Sequence, residues 1–79
     1  MNNWTIVVAP EVVRALYQIP RGRVSEVTAA IDDLRRVPMP FGAQPIEGRE
    51  DTYRIAVAGH IIEYELDREG QRIILLFIS

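Results

Sequence analysis

The chain has 79 residues, a net charge of −2, no cysteine, one histidine and 48% hydrophobic residues. That length buries only roughly 60% of the unfolded surface, so residues 1–79 form a single domain held by packing, with no disulfide and no His/Cys cluster to bind a metal, and no cofactor is expected. The slight negative charge excludes a general attraction to phosphate backbones, and no apolar run nears the ~20 residues of a membrane span, so a cytoplasmic protein without membrane contact is expected.

Trp4-Thr5-Ile6-Val7-Val8 is β-branched and aromatic and stops at Ala9-Pro10, which predicts a first strand. Pro10 suits the first turn of a helix and Glu11 favours its positive end. Val12, Leu16 and Ile19 then recur at helical spacing until Pro20, predicting a helix over 10–19. Arg21-Gly22-Arg23 reads as a turn. A second helix follows, with Val24, Val27, Ile31 and Leu34 on one stripe, and it closes at Arg35-Arg36 before Val37-Pro38. The short link makes the two helices an antiparallel hairpin.

Residues 38–51 hold three prolines and two glycines and read as an ordered loop, with Phe41 and Ile46 expected to pin it to the core. Strict alternation follows. Tyr53, Ile55 and Val57 face one way and Thr52, Arg54 and Ala56 the other. Ala58-Gly59 turns the chain into a strand in which Ile62, Tyr64 and Leu66 point inward and Ile61, Glu63, Glu65 and Asp67 outward. After the turn at 67–70, the stretch from Arg72 to Ile78 is apolar on both parities, as expected of a central strand or one that a partner covers.

The order β-α-α-β-β-β predicts an α+β two-layer sandwich: the helix hairpin packs on one face of a small, mainly antiparallel sheet and leaves the other face open. The open face carries Arg54 beside Glu63, Glu65 and Asp67, an excess of acids that should repel RNA. All nine cationic side chains are arginine, which excludes lysine chemistry and supplies guanidinium groups able to grip phosphate with two hydrogen bonds.

Across nearly its whole length the sequence resembles the RelE/ParE superfamily of bacterial type II toxins. The resemblance rests on Trp4-Thr5-Ile6-Val7, on the hairpin ending at Val37-Pro38-Met39-Pro40, and on Gly42-Ala43 with Ile46-Glu47-Gly48. Its strongest segment is Tyr53-Arg54-Ile55-x-Val57-x-Gly59, continued by Tyr64-Glu65-Leu66. The resemblance implies the toxin of a toxin-antitoxin pair, similar to ribosome-dependent mRNA endoribonucleases that inhibit translation, with an antitoxin protein and the ribosome or mRNA as partners.

Such cleavage needs a ribose 2′-hydroxyl activated, the scissile phosphate stabilised and the leaving oxygen protonated. The resemblance makes Arg54 the phosphate-holding residue. His60 and Glu63 are the candidate acid/base pair, and Arg21, Arg23, Arg35 and Arg36 are candidates for touching RNA. Family members carry a further arginine where Ile61 stands, often a cation where Ala56 stands, and a basic, His- or Tyr-bearing tail beyond the last strand. The expectation is therefore a scaffold with depleted catalytic equipment. Two alternatives stay open: a ParE-like gyrase poison, which needs no RNA-cutting residues, and a catalytically inactive binding module of toxin fold. An antitoxin laid over the hairpin would meet Val12, Val13, Leu16 and Tyr17, and a homo- or hetero-oligomer is expected.

Overall fold

The computed structural model describes residues 3–79. Its elements are strand β1 (Thr5–Val8), helices α1 (Pro10–Tyr17) and α2 (Arg21–Leu34), the two-residue strand β2 (Gln44–Pro45), and strands β3 (Thr52–Val57), β4 (His60–Asp67) and β5 (Arg72–Ile78). They form a five-stranded sheet in the order β1-β5-β4-β3-β2. Only β1 runs parallel to its neighbour β5; the other pairs are antiparallel. This is the expected α+β arrangement with one strand added, because Gln44 and Pro45 pair with Arg54 and Tyr53 at the sheet edge. Neither helix is long and apolar enough to cross a membrane.

The helix boundaries differ from the expected ones for one reason, Pro20. A proline can end a helix, but it can also precede one, since its own missing N–H is not needed there. Pro20 does the second: its carbonyl accepts hydrogen bonds from the N–H groups of Arg23 and Val24. Arg21-Gly22-Arg23 is thus the first turn of α2 and not a link. The link is Gln18-Ile19-Pro20, with Ile19 buried in it.

Both helices cover the same side of the sheet, α1 packing over β5 and α2 approaching β3. Val12 from α1 and Val27, Ile31 and Leu34 from α2 meet Ile62, Tyr64 and Leu66 of β4 and Ile73, Leu75 and Ile78 of β5 in one core. The N–H of Trp4 donates to the carbonyl of Arg35, which ties the start of β1 to the end of α2.

The segment 38–51, expected as a loop, contains β2 and is pinned differently from the expectation. Phe41 is fully exposed and Ile46 is half-buried. The anchors are polar instead. The buried Tyr64 hydroxyl donates to the carbonyl of Pro38 at 2.8 Å, Ile46 N–H donates to Thr52 O, and Leu66 N–H donates to Asp51 O. A buried hydroxyl needs a partner, so this contact fixes the loop more firmly than an apolar side chain that finds no cavity. Burial pushes the Tyr64 phenol up to about 12, with a smaller contribution from neighbouring Tyr53.

Candidate functional site

The open face of the sheet is set by the ladder registers, because side chains alternate across a strand and paired residues share a face. Arg54 stands opposite Glu63, Thr52 opposite Glu65 and Ala56 opposite Ile61. On the other flank of β4, Glu63 stands opposite Phe77, Glu65 opposite Ile74 and Asp67 opposite Arg72. Val7 lies beside Ile74 and Thr5 beside Arg72.

The registers of β4 and β5 shift between Glu63 and Tyr64, so Leu76 is an extra residue on β5. This bulge moves the inward parity of β5 from Ile73 and Leu75 to Ile78, while Ile74, before it, is an apolar residue of the open side. Ile73 and Leu75 face the helices; after the bulge Ile78 does so and Phe77 is turned to the open side. β5 is the central strand of the two expected alternatives, with β1 and β4 on its flanks, and the sheet edge on that side is β1.

The electrostatics of the face are balanced, which corrects the expected excess of acids. Arg49, at the end of the loop, approaches Glu63 at 3.8 Å, and Arg72 binds Asp67 at 2.6 Å. The hydrogen bond from Arg72, followed by that from the Gly70 N–H, holds the Asp67 carboxyl below the usual carboxylate range. Three arginines, 49, 54 and 72, therefore stand with three acids, 63, 65 and 67. Among the described residues, Arg54 and Glu65 form no ion pair; Arg54 makes one long contact, from Nε to Gln44 Oε1 at 3.5 Å. Arg49 escapes a reading by spacing because its partner lies on another element.

The expected catalytic trio is not assembled in one place. Arg54 and Glu63 are cross-strand neighbours on the open face, but His60 has the parity of Ile62 and Tyr64 and faces the helix side. Its Nδ1 lies 3.1 Å from the carbonyl of Ser79, and its Nε2 is buried without a hydrogen-bond partner. A histidine there cannot exchange protons with Glu63 through direct contact.

The four candidate RNA-binding arginines also separate. Arg21 and Arg23 lie in the first turn of α2, and an added Cβ at Gly59 would come 3.8 Å from Arg23 Nη1, which places that guanidinium by the β3–β4 turn. Arg35 and Arg36 follow the last turn, roughly 20 Å away by helix rise. There they pair with Asp32 and Asp33 of their own helix end.

On α1, Val12 is 1% exposed and belongs to the core, so it is no part of a docking surface. Leu16 is half-buried against the same core. Val13 and Tyr17, four residues apart on the outer side, are 39% and 86% exposed and remain available to a partner.

No family model matches the sequence, and no curated protein sequence does either. Solved structures do. A chain of the archaeal RelE-RelB complex from Pyrococcus horikoshii superposes with a TM-score of 0.87 at 22% identity, over 98% of this chain and 93% of that one. A chain of the toxin-antitoxin complex RelBE2 from Mycobacterium tuberculosis gives 0.81 at 22% identity, over 98% and 96%. The isolated RelE toxin of E. coli gives 0.83 at 10% identity, over 96% and 82%. With 96–98% of this chain covered in these superpositions and identity this low, the likeness is one of architecture: the chain has the RelE toxin fold.

Proposed function

We propose that the protein is the toxin of a type II toxin-antitoxin pair that inhibits translation by engaging mRNA on the ribosome. The observation that carries this reading is the match of almost the whole chain to chains solved in RelE-RelB complexes. A cognate antitoxin would dock on the outer side of α1, where Val13 and Tyr17 offer apolar surface in water. Arg54, with no carboxylate held against it, is the group that grips a phosphate, and Glu63 beside it is the candidate proton acceptor.

Induced expression of the chain should arrest growth, and co-expression of the antitoxin should relieve the arrest. In a cell-free translation reaction the chain should cut ribosome-bound mRNA, read by primer extension, and Arg54→Ala should lower the cleavage rate about 100-fold while the circular dichroism spectrum is kept. Intact mRNA with growth arrest would reject the cleavage.

The position of His60 favours a second reading, a toxin-fold protein that binds without cutting. It leaves Glu63 as the one titratable candidate beside Arg54 on the open face. Under this reading the antitoxin still binds and mRNA stays whole. DNA-damage signalling on induction marks a gyrase poison, and unaffected growth marks an inactive binding module.

A further inference from the structure

The open face of the sheet is amphipathic in a pattern that fits itself. An apolar band crosses it diagonally from Val7 through Ile74 and Phe77 to Ile61 and Ala56, and Val7, Phe77 and Ile61 keep 39%, 52% and 37% of their surface exposed. Beside the band lie the two charged groups with no ion-pair partner among the described residues, Arg54 and Glu65. We infer that this face is the interface of a two-fold homodimer, with the axis lying in the plane of contact and passing over Phe77.

The register supports this pairing. Strands lie ~4.8 Å apart and rise ~3.4 Å per residue, so each outward residue has a fixed place on a grid. An axis over Phe77, perpendicular to the line from Arg54 to Glu65, sets Arg54 of one copy against Glu65 of the second. The same rotation sets Val7 against Ile61 and Ile74 against Ala56. One operation thus closes the unpaired charges and covers the apolar band, as an isologous contact requires. The strands of the two copies cross steeply, in the orthogonal class of sheet packing.

Charge complementarity favours a second copy on this face. The face holds three arginines and three acids and is neutral, so it meets its own rotated image without net repulsion and can pair opposite charges across the contact. Glu63 lies beside the axis, so the two copies of this carboxylate approach each other, each with its own Arg49. The dimer holds the Arg54 face closed, and the chain exposes that face on dilution.

The test is sedimentation velocity on the purified full chain across a dilution series. A concentration-dependent monomer-dimer equilibrium is expected. Arg54→Glu and Glu65→Arg should each raise the dissociation constant at least tenfold, the double exchange R54E/E65R should restore it to within a few-fold of the original, and E63Q should tighten it. Each variant's circular dichroism spectrum is checked against the parent. A monomer at all concentrations, single exchanges without effect, or a double exchange that fails to rescue a folded protein would each overturn the proposal.

Discussion

On the helix side of the sheet Ile62, Tyr64, Ile73 and Leu75 are completely enclosed, whereas on the opposite side Ile61 and Phe77, from the same two strands, stand half in water. Apolar residues occur on both sides, so hydrophobic content alone does not separate them. What separates them is cover. The helices seal one side, and its residues make the close-packed contacts that hold the fold, while the other side keeps apolar surface that contributes little until something covers it.

The largest expected effect contrasts the two sides within one strand. Leu75→Ala should cost about 2–5 kcal/mol in urea unfolding, since it leaves a cavity in a sealed core, and Phe77→Ala about 1 kcal/mol or less at concentrations where the chain is monomeric. Equal losses would mean that the open face already shares in the core.

Tyr64 sharpens the contrast through pH. Its phenol is raised from 10.0 to about 12 by burial, so the folded state favours the neutral form. This contribution is whole below pH 10 and is lost as pH rises from 10 toward 12, to a total of up to about 3 kcal/mol. Tyr64→Phe should abolish that alkaline fall, and at neutral pH it should cost about 1–2 kcal/mol, because the Pro38 carbonyl loses its donor. Stability measured as a function of pH on both proteins checks this.

The smallest effect belongs to the open side. Asp67 is held down by Arg72 and the Gly70 N–H, so its contribution is present above its ordinary pKa of 3.8 and disappears as pH falls through the lower folded value. Arg72→Ala should move the Asp67 titration, followed by NMR, back toward that ordinary value with a barely measurable change in stability, as expected of an exposed pair.

The alternation of β3 and β4 could be read from the residues alone, because a period of two assigns faces without knowledge of partners. Arg54 and Glu63 were therefore legible as neighbours, and so was the mismatch of His60, whose parity with Ile62 contradicts a pairing with Glu63. Pro20 was ambiguous by its own chemistry, which permits both the end and the start of a helix. Phe41 stays in water despite its size, because a large apolar side chain states a preference for burial without supplying a cavity. Arg72 meets Asp67 only five residues back across the expected turn, whereas Arg49 depends on the placement of the loop against β4, which no local pattern encodes. The same holds for Val12: spacing put it on α1, but only the packed sheet shows that its side of the helix is the sealed one.

The extra residue at Leu76 has a consequence for how this chain tolerates changes in length. A one-residue deletion there would join Leu75 directly to Phe77 and restore plain alternation, so that Phe77 stays on the open side opposite Glu63 and Ile78 on the helix side opposite Ile62. A point substitution at Leu76 changes one side chain, and even its loss leaves the identities of the two surfaces unchanged. Chains of this architecture that lack the extra residue at this point of the last strand are thus expected to present the same face to other molecules, with a straighter strand beneath it.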